Sequence, residues 1–262
     1  MEDRLKKLTE YFLGKKRVAI AFSGGVDSTF MLKVAHDALG DGCVAVTAVS
    51  ALIPESERSF CDEFCKNEGI THENLQIDAL GIEGFCQNPP DRCYICKKHI
   101  LEHIIQLAHG LGIENVCEGS NVTDESDYRP GRRAIRELGV LSPLKDCGYT
   151  KDEIRKYSAA LGLSTAAKPS FACLATRFPT GKVITAEGLS VVERGEDFLR
   201  ELGFSQYRVR IHDDLARIEL YPGEFERIMS EDVRLRVDKR LKELGFKYVA
   251  LDIAGYKTGN FS

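Results

Sequence analysis

One short stretch limits what this chain can fold into. Val18-Ala19-Ile20-Ala21-Phe22 is an unbroken apolar run, the pattern of a strand buried on both faces of a parallel sheet. It stops at Ser23-Gly24-Gly25-Val26-Asp27-Ser28 and gives way at once to Thr29-Phe30-Met31-Leu32-Lys33-Val34-Ala35, whose pattern is helical. Two glycines let the backbone turn tightly and approach an anion with no Cβ in the way. The helix behind them presents unpaired N–H groups and the positive end of its dipole to that anion. Ser23 and Ser28 add hydroxyl donors, and Asp27 is the carboxylate placed to reach Mg2+ or a water on it. The competing reading is a plain strand-to-helix turn, relaxed by Gly24-Gly25 and capped by Asp27-Ser28. The loop differs from a Walker A loop, because no lysine follows its glycines.

Strand and helix patterns then alternate. Cys43 to Val49 is a second continuous apolar run, His72 to Ile77 a third strand and Asn115 to Gly119 a fourth, with a short strand near Val140-Leu141. Helical patterns lie between them, over 3–14, to about Leu39, from Pro54, to about His109, over Arg132–Leu138 and over Thr150–Leu161. That alternation predicts an α/β fold with a doubly wound parallel sheet over 1–162. Ligands of such sheets bind at the carboxyl ends of the strands. Ser23, Ser50, the Pro143 loop and the polar Gly119–Gly131 loop, with Gly119, Asn121, Asp127 and Arg129, are expected on that edge as nucleotide contacts. Residues 163–185 read as a linker that bears part of a site, since Cys173 and Arg177 lie between Pro169 and Pro179. Residues 186–262 read as a smaller α+β domain: a helix to Leu202, strands Tyr207–Ile211 and Ala216–Leu220 turning at His212-Asp213-Asp214, a helix over 223–244, and a strand Tyr248–Ile253.

At 43% hydrophobic and 29% charged residues, the composition is that of a soluble globular protein. A net charge of −4 weighs against nucleic acid as a partner. No apolar stretch approaches membrane-spanning length, and Met1-Glu2-Asp3-Arg4 is charged, so the expected location is the cytoplasm. Nine cysteines in a reducing compartment point to metal binding or catalysis for some and to core packing for the rest. Cys61 and Cys65, beside Phe60 and Phe64, read as core. Cys93-x-x-Cys96, at a Pro-bounded helix start, is open to reading as a redox dithiol, half a zinc site or part of an iron–sulfur site. No second CxxC completes a four-cysteine zinc site. With Cys173 there are three thiolates in loops of site character, enough for a [4Fe–4S] cluster with one open iron; three incidental cysteines are the competing reading.

Ser-Gly-Gly-x-Asp-Ser after a buried strand resembles the pyrophosphate loop of the ATP-pyrophosphatase (PP-loop) family. Four further motifs follow it in order: Asn-Pro-Pro-Asp-Arg-Cys-Tyr-x-Cys-Lys at 88–97, Gly-x-Asn with Asp-Tyr-Arg-Pro-Gly at 119–131, Lys-Pro-Ser-x-Ala-Cys-Leu-Ala at 168–175, and Asp-x-x-Gly-Tyr at 252–256. Together they resemble the LarE-type sulfur transferases, which act on pyridinium-3,5-biscarboxylic acid mononucleotide in building the nickel-pincer cofactor of lactate racemase. The resemblance spans essentially the whole chain. It implies that ATP adenylates a carboxylate of the mononucleotide and pyrophosphate leaves from the loop at 23–28. Sulfur is then supplied at Cys173, either sacrificially or through a [4Fe–4S] cluster on Cys93, Cys96 and Cys173; the presence of the CxxC favours the cluster. It also implies a homo-oligomer, with a hexamer as one form. The mononucleotide's phosphate and carboxylates call for cations, and Arg177, Arg208 and Arg210 are the candidates. Glu219 with Asp252 is a candidate metal holder on the phosphate, or else forms structural salt bridges. Other readings of the same loop are a tRNA thiolase, an amidotransferase-type synthetase, or a nucleotide-sensing module without turnover.

Overall fold

The computed structural model describes residues 2–126, 130–169 and 172–257. They divide into two units, Met1–Asp78 with Asp91–Phe171, and Ala79–Pro90 with Ala172–Ser262. Among the described residues no helix is long and apolar enough to cross a membrane.

The first unit runs α1 (Glu2–Leu13), β1 (Val18–Ala21), α2 (Val26–Leu39), β2 (Cys43–Val49), α3 (Glu55–Glu68), β3 (Thr71–Gln76), α4 (Arg92–Gly110), β4 (Val116–Cys117), α5 (Gly131–Glu137), α6 (Pro143–Asp146) and α7 (Lys151–Ala160). Its strands lie in the order β3-β2-β1-β4, every neighbouring pair parallel. The register sets Ile20 beside Ala45 on one side and Cys117 on the other.

Both faces of the central strands are buried, which is why β1 and β2 carry no polar alternation. Val18 and Ile20 pack with Leu8 of α1, Phe30 of α2, Cys61 of α3 and Ile154 of α7. Ala19, Val44 and Val46 pack on the other face with Leu101, Ile104 and Ala108 of α4. The edge strand β3, Thr-His-Glu-Asn-Leu-Gln, is half-exposed and correspondingly polar. The fourth strand is shorter than its sequence suggests. The strand expected near Val140-Leu141 is a single parallel bridge, Leu141 to Cys117.

Strand order reverses at β1: the chain goes from β1 to β2 on one side and later returns to β4 on the other. The carboxyl ends of β1 and β4 therefore flank the crevice where such sheets take ligands. α7 begins with a full capping box, Thr150 and Glu153 each bonding the other's backbone N–H, which fixes where Lys151 starts the helix.

The second unit contains α8 (Ala186–Glu201), β5 (Tyr207–His212), β6 (Leu215–Leu220), α9 (Phe225–Met229), α10 (Glu231–Glu243) and β7 (Tyr248–Leu251). β5 and β6 form an antiparallel hairpin and β7 adds to β6 in parallel. The hairpin turns on Asp213-Asp214, with Asp213 at φ 53°, the left-handed conformation that two-residue turns require. Val209, Ile218, Leu220, Leu199, Val237 and Leu241 form its core. The helix expected over 223–244 is broken at Ser230, which is extended at ψ 144° and precedes Glu231 and Asp232 in the first turn of α10. Residues 79–90 belong here because Asn88, fully buried at φ 55°, donates from Nδ2 to Phe178 O and to Pro179 O (2.7 Å) and accepts from Gly181 N at 2.8 Å.

Candidate functional site

The loop after β1 is fixed by its own hydroxyls. Ser28 Oγ donates to Gly25 O at 3.1 Å, accepts from Ser23 N at 3.3 Å and lies 3.1 Å from Ser23 Oγ. Thr29 Oγ1 also donates to Gly25 O, at 2.9 Å. Gly24 sits at φ 69°, and a Cβ there would come within 3.0 Å of both Cys61 Sγ and Phe60 Cδ1. Gly25 caps α2 without a side-chain hydrogen bond, which leaves the first-turn N–H groups of Val26, Asp27 and Ser28 for a ligand. The strand–turn–helix thus stands where the sequence places it, with first-turn N–H groups of the kind that oxyanions accept.

Asp27 lies in the first turn of α2, between two partners from distant segments. Asn121, 1% exposed, donates from Nδ2 to one carboxylate oxygen at 3.3 Å, and Lys151 Nζ donates to the other. Burial raises the Asp27 pKa, and Lys151 offsets only part of that. A second ammonium, Lys168 Nζ, donates to Gly24 O at 3.0 Å and to Glu57 Oε2 at 2.7 Å, above the Phe60 ring. Arg155 holds that segment by donating to Ala166 O and Lys168 O. Asp27 fits a role as one hard oxygen ligand for Mg2+, with phosphate oxygens as the others.

The end of β4 is equally well fixed. Glu118, 5% exposed, accepts from Ser120 N, Ser120 Oγ, Ser142 Oγ and Lys97 Nζ, all between 2.8 and 3.0 Å. Burial pulls its pKa upward, but Lys97 and the serine hydrogen bonds outweigh that and hold the carboxyl below its ordinary range. Gly119 packs against the loop: a Cβ there would meet Ser28 N at 3.2 Å and Asp27 Cβ at 3.4 Å. Ser50 is buried just past β2, where its Oγ accepts from Leu52 N. Asp127 and Arg129 lie outside the described residues.

Cys93 is exposed and Cys96 half-buried, three residues apart in the first turn of α4, neither in a disulfide. Their donor chemistry suits two corners of an iron–sulfur cluster. Cys96 also begins a Cys-x-x-His step to His99, whose ring centroid lies 4.2 Å from that of His103 with the planes tilted by 40°. Cys173 belongs to the second unit, half-buried at the start of a single helical turn, Leu174–Arg177. Among the described residues, neither unit gathers three His, Cys, Asp or Glu side chains as a metal group. Cys61 and Cys65 are core residues, their thiols pushed up to about 12 by burial.

Arg177 and Arg210 of the second unit are committed inward. Arg177 is 0% exposed; Nε and Nη2 donate to the two oxygens of Glu196, and Nη1 donates to Ala172 O, Cys173 O and Thr176 Oγ1. The expectation for this residue was a substrate contact; its fork here engages Glu196 and the carbonyls that shape the Cys173 turn. Arg210 makes a bidentate pair with Glu219 and donates to Thr176 O at 2.8 Å. Glu219 also accepts from Arg217, which pairs with Asp252, so both acids form the structural salt bridges that were the alternative to metal binding. Arg208 lies over the Tyr256 ring, and burial followed by the nearby Arg177 charge lowers its pKa.

No family model matches the chain. It is 42% identical over 264 residues to an uncharacterized protein of Synechocystis, covering 100% of this chain and 98% of that one. It is 36% identical over 251 residues to the pyridinium-3,5-bisthiocarboxylic acid mononucleotide synthase of Lactiplantibacillus plantarum, covering 94% of this chain and 89% of the relative. The chain belongs to that synthase family. A more distant relative is a polypeptide of the glutamine-hydrolysing GMP synthase of Pyrococcus furiosus, 25% identical over 62% of this chain and 55% of its own length.

Two lysines at the loop of this synthase-family chain escape sequence reasoning. Lys168 stands inside the Lys-Pro-Ser motif, yet nothing local shows that it reaches Gly24. Lys151 carries one usable signal: it follows Thr150 in a Thr-x-x-Glu capping box, at the helix start nearest the loop.

Proposed function

We propose that the chain is an ATP-dependent sulfurtransferase that activates a carboxylate of a pyridinium mononucleotide and replaces one of its oxygens with sulfur. The carrying observation is the full-length relationship to the synthase, at 36% identity, read with an oxyanion-binding loop on β1. A carboxylate oxygen of the acceptor attacks the α-phosphorus of ATP, and the bond to the bridging α–β oxygen breaks. Pyrophosphate departs into the 23–28 loop, where the first-turn N–H groups and the Ser23 hydroxyl receive its charge. Lys151 and Lys168 add two ammonium groups at the same place. Asp27 would hold Mg2+, which when bound neutralises phosphate charge.

Sulfur delivery centres on Cys173. In the sacrificial route its thiolate attacks the acyl-adenylate carbonyl and AMP leaves. Loss of the Cα proton and cleavage of the Cβ–Sγ bond then give a thiocarboxylate and dehydroalanine. In the alternative, favoured by the Cys93-x-x-Cys96 pair, Cys93, Cys96 and Cys173 would hold a [4Fe–4S] cluster, which when bound would supply the sulfide. Arg208 is proposed to meet the acceptor's phosphate, while Arg177 positions the Cys173 turn. The working form is proposed as a cytoplasmic homo-oligomer.

Anaerobic purification, iron and sulfide analysis, and intact mass before and after turnover test this. A mass loss equal to hydrogen sulfide, localised to Cys173, identifies the sacrificial route. Iron and sulfide that disappear together in Cys93→Ser, Cys96→Ser or Cys173→Ser identify the cluster. Full thiocarboxylate formation by Cys173→Ser overturns both.

A further inference from the structure

A cleft of about 520 Å³ opens in the first unit, within the range of small-ligand pockets. The charge of its wall is opposite to that of the chain. The chain carries a net −4, yet the described residues lining the cleft include Arg132, Arg133, Arg136 and Lys145 against the single carboxylate of Asp91. A concave wall of one sign concentrates its potential on whatever enters. Arg133 is held in place by Glu137 at 2.6 Å and by the Tyr94 ring at 4.5 Å, and Arg132 donates to Asp124 O at 3.3 Å. The guanidinium groups of Arg132 and Arg133 are therefore largely preorganised.

The cleft begins one residue from the phosphate loop. Gly119 lies against Asp27 and Ser28, and the next residue, Ser120, lines the cleft. Glu118 fixes Ser120 through both its N–H and its hydroxyl. A carboxylate that attacks the α-phosphate of a nucleotide on the loop must lie beside that loop. The β/γ-phosphates have their own donors there, so the cleft's positive wall answers the charge of the other reactant.

We propose that this cleft seats the aromatic carboxylate end of the acceptor, with Arg132, Arg136 and Lys145 as its cationic wall. This rests on the sulfurtransferase reading and goes beyond it by naming where the acid group is recognised. Arginine pairs with a planar carboxylate through two parallel N–H bonds, which an amide in the same place cannot match.

Nicotinic acid mononucleotide and nicotinamide mononucleotide, which differ only in carboxylate against amide, serve as probes for titration calorimetry on the full chain. The wild type is expected to bind the acid at least tenfold more tightly than the amide. Arg136→Gln with Lys145→Gln is expected to erase that preference, Arg136→Lys to restore part of it, and Mg-ATP affinity to stay within twofold. Arg136 is exposed, so its substitution leaves the fold intact; unchanged thermal unfolding checks this. Absence of a preference in the wild type, its persistence in the double variant, or loss of Mg-ATP binding instead would each overturn the proposal. So would inorganic phosphate competing as well as the acid and losing affinity equally in the variant, which would make the cleft a phosphate site. The two readings fail separately. Thiocarboxylate formation with unchanged KM in the double variant removes the cleft and keeps the function. No thiocarboxylate from the wild type, with an acid preference that still depends on Arg136, removes the function and keeps the cleft.

Discussion

Two sets of charges in this chain are built on opposite rules. At the loop, lysines meet carboxylates that keep part of their contact with water: the Lys151–Asp27 side chains are 26% and 22% exposed, and Lys168–Glu57 22% and 13%. In the second unit, arginines meet carboxylates out of water: Arg177–Glu196 at 0% and 7%, Arg210–Glu219 at 8% and 0%. A lysine ammonium is a point charge that can exchange one oxygen for another without moving its stem far. An arginine fork matched to both oxygens of a buried glutamate gains its energy from not exchanging. The contrast teaches that charge alone does not mark a binding residue; under the proposed function the loop's ion pairs are the ones phosphate would replace, while the buried ones hold a turn in shape.

The sharpest attempt to break this contrast is Glu196→Gln. It leaves the Arg177 charge buried without its carboxylate and is expected to cost about 3–5 kcal/mol in urea unfolding. A loss under about 1 kcal/mol would put the second unit's pairs in the same class as the loop's. Asp27→Asn should do the reverse, leaving the unfolding midpoint nearly unchanged while ATP-dependent pyrophosphate release falls on the order of 10²-fold. Gly24→Ala forces a Cβ at φ 69° toward Cys61 and Phe60, at a cost of about 1–2 kcal/mol, with pyrophosphate release reduced in parallel.

Glu118 sharpens the comparison by titration. Its carboxyl is held below the ordinary 4.5, so its stabilising effect is complete above that pH and is lost as pH falls through the folded-state value. The thermal midpoints of the wild type and Glu118→Gln should therefore converge as pH drops below about 4.5. Lys182→Ala gives the smallest effect: it removes a pair with Asp213 in which both side chains are more than half exposed, and less than about 0.5 kcal/mol is expected.

The strand–turn–helix around the loop was legible because its signals are local: an apolar run, two glycines and a helix pattern within the single stretch 18–35. The partners of that loop were not, because Lys151 meets Asp27 across 124 positions and Lys168 meets Gly24 across 144. Sequence spacing carries no record of such contacts. The partner of Arg177 was hidden for a related reason: its place four residues after Cys173 was plain, but its burial against Glu196 depends on how α8 packs. Ser230 was hidden by a helical period that continues through it, although Ser followed by Glu231 and Asp232 is a helix-start signature. Asn88 sat in an evident turn, Asn-Pro-Pro, with nothing to show that its amide answers carbonyls 90 residues later.

That last residue has a bearing on how the protein is made. The segment Ala79–Pro90 leaves the ribosome with its own apolar side chains, Phe85 and Ile82 among them, long before the rest of its unit, from Ala172 onward, has been synthesised. Until then it must wait, solvated or borrowed by something else, in the middle of a sheet domain that is still being completed on either side of it. Neither unit can be obtained by cutting the chain once. A clone ending near residue 171 would carry an orphaned strap, and one starting near 172 would lack the strap whose Asn88 answers Phe178 and Pro179; a working half would have to be spliced, with 78 joined to 91.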